Sequence, residues 1–174
     1  GAVLGDQEPV WRVNWFDALI FCNRLSRAHG FAGYYLMNEG EYDWEQGVLK
    51  EGAKFPTVID ADGVGYRLPS EREWEYGCRA LSVQGYSFGQ DGNFLSLFAW
   101  YAGKSSPTIC GSQRPSRWGL SDMHGNVWEW CWDQYDATEE ASSGSRVLRG
   151  GSFDNYNPVS LRSAFRNYYS PEDR

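Results

Sequence analysis

Gly125-Asn126-Val127-Trp128-Glu129-Trp130, followed by Arg146-Val147-Leu148-Arg149-Gly150-Gly151-Ser152-Phe153, governs how the whole chain is read. The first piece belongs to a run, 121–132, that crowds Trp, Gly and Asn together with no lasting helical or strand period. The second opens with four residues that read as a short strand and breaks at paired glycines. Segments of this kind are held by aromatic packing more than by long regular elements. They predict an α+β domain with sparse secondary structure.

Upstream, two helices stand out. Residues 14–29 carry Asn14 as N-cap, Asp17 three residues on, and a stripe of Phe16, Leu19, Ile20, Asn23 and Leu25. Gly30 is a stop signal. Ser70 and Glu73 form a capping box that starts a second helix running to about Ala80. Short strand-like pieces surround Tyr34-Tyr35-Leu36 and Val58-Ile59, and Asn38-Glu39-Gly40 and Asp60-Ala61-Asp62-Gly63 are turn material. Residues 81–115 are irregular, and 137–145 form a polar loop. No linker or repeat divides the chain, so we expect one domain over 1–174.

Composition narrows the function classes. The chain has 174 residues and a net charge of −7, which excludes a sequence-independent nucleic-acid binder. No apolar run is long enough for a membrane span. No basic-then-apolar segment opens the chain, so we expect no signal peptide in it. Nine Trp, 11 Tyr and nine Phe exclude a disordered chain. Cys22, Cys78, Cys110 and Cys131 form no CxxC pair, which argues against a zinc site. Buried free thiols are the expectation, with disulfides open if the protein is exported.

These phrases, with Val13-Asn14-Trp15, Phe21-Cys22-Asn23-Arg24-Leu25-Ser26, Gly65-Tyr66-Arg67-Leu68-Pro69-Ser70-Glu71 and Asp122-Met123-His124 in the same order, resemble the formylglycine-generating enzyme (sulfatase-modifying factor) family. The resemblance implies a C-type lectin-like α+β fold. It also implies a strand before Pro9 and another beyond the last residues, so a chain cut short at one or both ends is expected. Enzymes of the family use two cysteines that bind copper near the C-terminus. Matching their Arg-Cys-Ala-x-Arg stretch to Arg162-Ser163-Ala164-Phe165-Arg166 puts Pro158 and Ser163 at those positions. Proline offers no side-chain ligand and serine a poor one for Cu(I), so we expect no copper and no catalytic residues. The two histidines, His29 and His124, do not supply another site, and no GxSxG nucleophile elbow occurs.

The resemblance also implies a calcium site. Asp122 and Glu129 would give side-chain oxygens, and Gly125 and Val127 backbone carbonyls, the hard oxygen shell that Ca²⁺ prefers. The competing reading is that Glu129 pairs with an arginine such as Arg149 and binds no ion.

The last segment alternates scaffold-like residues with Asp154, Asn155, Tyr156, Asn157, Val159, Ser160, Phe165, Asn167, Tyr168, Tyr169 and Asp173. That Tyr, Asn, Ser and Asp composition is the chemistry of an antibody paratope. Its spacing is similar to the variable region, here about 146–174, of diversity-generating-retroelement proteins, which display varied residues on a C-type lectin-like scaffold. The reading that follows is a non-catalytic, receptor-type binder at the cell surface or outside the cell. A protein partner is favoured over carbohydrate, because the expected ion has its ligands supplied by the protein and no EPN-type motif occurs. The alternatives are a copper-dependent formylglycine-generating oxidase and a structural accessory domain of a larger protein.

Overall fold

In the computed structural model, residues 7–59, 62–135 and 144–174 are described. The first helix, α1, spans Trp15–Ala28. Asn14 caps it reciprocally: its side-chain oxygen accepts from the Asp17 N–H at 2.9 Å, and the Asp17 carboxylate accepts from the Asn14 N–H at 3.1 Å. The buried stripe includes Trp15, Phe16, Leu19, Ile20, Cys22, Asn23 and Ser26, while Leu25 is only partly covered. Asn23 is buried because its amide completes a sheet-like pair with Tyr35, donating to that residue's carbonyl at 2.8 Å and accepting from its N–H at 2.9 Å.

Four two-residue strands follow: β1 (Tyr35–Leu36), β2 (Tyr42–Asp43), β3 (Val48–Leu49) and β4 (Thr57–Val58). β1 pairs antiparallel with β4, and β2 with β3. The turn expected at Asp60-Ala61-Asp62-Gly63 has its first two residues outside the described ones, as has the expected polar loop over 137–143. Helix α2 spans Glu71–Arg79, started by the Ser70–Glu73 box and ended by Ala80 in the left-handed region at φ 44°.

The main sheet is β5 (Glu129–Gln134), β6 (Arg146–Arg149) and β7 (Asn167–Tyr169), antiparallel in the order β5-β6-β7. α2 packs on it through Trp74 and Cys78 against Cys131 and Val147. A second cluster joins α1 to Tyr34, Tyr35 and Tyr42, with Trp130 and Trp132 against it. A third gathers Tyr86, Leu95, Ala99 and Leu161, giving the irregular stretch 81–115 its own core. Trp15 shows how aromatics replace regular elements. Its ring is fully buried, lies 5.2 Å from Trp132, and donates its indole N–H to the Cys131 carbonyl at 3.0 Å. All four cysteines are free, and Cys110 alone is exposed. No helix among the described residues is long and apolar enough to cross a membrane.

Arg149 ties these layers together. It is fully buried, with its guanidinium against Glu71 (3.1 Å) and Glu75 (2.6 Å) on α2. It also donates to the carbonyls of Ser163 and Ala164, which anchors the C-terminal segment to β6.

Candidate binding surface and metal site

The turn before β5 is built around backbone that few residues tolerate. Gly125 has φ +138°, and a Cβ there would sit 2.6 Å from the Trp100 carbonyl oxygen. Asn126 follows at φ 66°; its N–H donates to that same carbonyl at 2.9 Å, and its side chain clasps Thr108. Asp122, at φ 61°, accepts from the Gly111 N–H at 2.8 Å through Oδ2. Its Oδ1 is buried and has no hydrogen-bond partner.

Glu129 enters the same region from the start of β5. It accepts from the Trp74 indole N–H at 2.7 Å. Enclosure of the carboxyl pushes its pKa up to about 7, and the charge of Asp122 pushes the same way. Arg149 does not neutralise it, because that guanidinium is committed to Glu71 and Glu75. Two interacting carboxylates, one with an orphaned buried oxygen, are donors of the kind an oxygen-seeking divalent cation takes. Among the described residues no group of three His, Cys, Asp or Glu side chains could hold a metal, so the carbonyls of Gly125 and Val127 would have to complete the shell.

Of the positions matched to the enzymes' cysteines, Pro158 is exposed at the start of a 3-10 turn, and Ser163 is fully buried. The Cys78 thiol donates to the Ser163 hydroxyl at 3.4 Å, and burial pushes that thiol up to about 12. His124 lies against the same group but has both ring nitrogens engaged: Nδ1 with the Leu161 carbonyl at 2.8 Å, and Nε2 accepting from the Ser87 N–H at 3.0 Å. Burial lowers its pKa to about 4, so it stays a neutral structural group.

The C-terminal residues divide by their surroundings. Tyr156 (79% exposed), Val159, Tyr169, Asp154, Asn157 and Asp173 are exposed. Asn155, Ser160, Phe165, Asn167 and Tyr168 are half-buried. Several have internal tasks. Asn155 accepts from the Ser152 N–H at 2.9 Å, Asn157 caps the turn Pro158–Leu161, and Tyr168 lies 4.5 Å from Tyr135. Phe165 faces Trp128 at 6.2 Å. The Tyr156 ring rests on Gly103, occupying the place where a Cβ would be. A cavity not foreseen from the sequence opens beside this segment, because Trp11 and Arg12 reach it from the other end of the chain.

Small helices, short strands and a glycine turn fronting an aromatic core define the class, and comparison with known proteins agrees. The sulfatase-modifying factor enzyme 1-like domain matches residues 3–174, and the chain belongs to that family. It is 30% identical over 169 residues to chaperone protein LppX of Paenibacillus barcinonensis, covering 86% of this chain and 60% of that protein. It is 35% identical over 114 residues to the formylglycine-generating enzyme of Streptomyces coelicolor, covering 51% of this chain and 36% of the enzyme. The chain thus spans less than two thirds of either relative's length. Among solved structures, Treponema denticola variable protein 1 superposes with a TM-score of 0.81 at 28% identity, over 95% of this chain and 67% of that one.

Proposed function

We propose that the chain is a non-catalytic binding module that offers its C-terminal segment to a protein partner, as a retroelement-diversified variable protein would. The observation that carries this reading is the division of the segment itself. Residues that hold it down (Arg149, Gly150, Gly151, Ser152, Leu161, Ser163) are buried, while Tyr156, Val159 and Tyr169 between and beyond them are exposed apolar surface. Exposed tyrosines on a rigid frame are efficient contact residues, because few torsions are frozen on binding. The likeness to a protein called variable protein 1 supports the same view. Under this reading the molecule works at the cell surface or outside the cell.

Ca²⁺ would be held by Asp122, Gly125, Val127 and Glu129, and its chemistry there is structural: it would neutralise two enclosed carboxylates and brace the turn. Copper has no comparable seat, since Ser163 and Pro158 stand where the enzymes carry thiolates. Titration with Cu(I), paired with a peptide-aldehyde assay, tests the point. We expect neither tight stoichiometric binding nor aldehyde; either would overturn the non-catalytic reading in favour of the oxidase. The diversification reading is checked in the gene. It requires a near-copy of the codons for 146–174, differing at adenines only, close to a reverse transcriptase gene, and falls without one.

A further inference from the structure

A cavity of about 250 Å³ lies where residues 10–13 meet the C-terminal segment. Trp11 and Arg12 contribute from one side, Phe153, Asp154, Tyr169 and Asp173 from the other. Trp11 meets Phe153 edge-on at 5.7 Å. Trp130, also in the wall, spends its indole N–H on the Val13 carbonyl at 3.0 Å and offers the cavity no donor. Each aspartate has one oxygen engaged locally: Asp154 Oδ1 accepts from the Ser152 hydroxyl, and Asp173 Oδ2 accepts from the Ser170 N–H at 3.0 Å. Their second oxygens take no hydrogen bond from the described residues.

The cations at this place differ in how they are held. Arg174 is committed to Asp17 at 3.6 Å. Arg12 has no ion pair among the described residues; its guanidinium lies over the Trp11 ring, 4.3 Å from the centroid. Its backbone is left-handed, at φ 58°, an unfavourable conformation for a residue with a long side chain. Arg12 therefore shows what the Trp11 face accepts, while being held there by nothing else charged.

We propose that this cavity anchors an arginine side chain of the protein partner, which displaces Arg12 from Trp11. The inference rests on the binding reading above and names the chemistry of one anchor within it. A planar guanidinium can stack on indole and at the same time donate in a fork to carboxylates, and Asp154 and Asp173 line the same cavity as the Trp11 ring. A neutral aromatic side chain would use the rings but leave both acids unanswered.

The test is an NMR titration of the intact chain at low salt, following the indole N–H signals of Trp11 and Trp128, which both line the cavity. The probes are N-acetylarginine amide, its neutral isostere N-acetylcitrulline amide, and N-acetylphenylalanine amide. Acetylarginine amide should shift both signals at millimolar concentration, with the two neutral probes about tenfold weaker. The double variant Asp154→Asn/Asp173→Asn should lose about the same factor, and Arg12→Ala should bind about threefold tighter because the ring face is vacated. The amide spectrum of each variant confirms that it is folded. Equal binding of a neutral probe, or unchanged or weaker binding by Arg12→Ala, would overturn the proposal. The broader reading is separable. A diversification template in the gene with no arginine response sinks the anchor alone, whereas an arginine response with no such template upholds the anchor and sinks the diversification reading.

Discussion

Replacing Arg149 with methionine removes a charged group of β6 that holds α2 and the C-terminal segment at once. The cost can be worked from its partners. Deleting one member of a buried ion pair costs about 3–5 kcal/mol when the other charge is stranded. Here neither acid is stranded. Glu71 keeps Arg166 at 2.6 and 2.7 Å, Glu75 keeps Arg79 at 2.7 Å, and both carboxylates reach solvent. What remains is the loss of a charged donor to the buried Ser163 carbonyl, about 1–3 kcal/mol, and of the guanidinium contact with Trp74 at 5.2 Å, about 0.5–1 kcal/mol. Methionine returns part of this by filling the volume without a charge to desolvate. We expect Arg149→Met to lose about 2–3 kcal/mol in urea unfolding with unchanged m, or about 5–10 °C in melting temperature. Amide exchange should quicken first at 163–166, where the C-terminal segment is tethered. A loss below about 1 kcal/mol, or exchange that quickens uniformly, would refute the view that Arg149 is the tether.

Calcium at a hundred times its dissociation constant should raise stability by about 2.7 kcal/mol, and Asp122→Asn should abolish that response in thermal melts with and without EDTA. Gly125→Ala should fail to accumulate as folded protein, since the added methyl would sit 2.6 Å from a carbonyl at a φ that disfavours it; recovery of this variant soluble and folded would contradict the geometry. The Glu73 carboxyl is held at about 2, chiefly by Arg67 at 2.7 Å and then by the Ser70 N–H. Its folded pKa lies below the ordinary value near 4.5, so its contribution is present above that value and is lost as pH falls from about 4.5 toward 2. Glu73→Gln should flatten that part of the acid-unfolding curve and, because the carboxylate is half exposed, cost under about 1 kcal/mol at neutral pH.

Both helices are legible in the sequence because capping is local: Asn14 with Asp17 and Ser70 with Glu73 lie three residues apart and satisfy each other's backbone groups. β5 is not legible as a strand because Glu129-Trp130-Cys131-Trp132 shows no in-out alternation; large side chains on both faces are half-covered. β7 is hidden in the same way, its three residues having the composition of contact surface. The carboxylates of Asp122 and Glu129 come to notice only through the family resemblance, while the commitment of Arg149 to α2 does not, since its partners lie 74 and 78 residues away. The cavity is invisible for the same reason: its lining is drawn from residues 10–13, from 127–130 and from the C-terminal segment, far apart in the chain.

Gly103 has a consequence for what the surface can become. The backbone around it is stitched to the C-terminal segment, Ala102 N–H to the Asn155 carbonyl at 2.9 Å and Lys104 N–H to the Phe153 carbonyl at 2.8 Å. With no side chain of its own, it is a blank ledge beneath position 156. A residue far outside the C-terminal segment thereby sets which replacements at 156 can lie flat and which must stand away. On the binding reading proposed above, specificity can be retuned from that ledge without altering any residue of the exposed face.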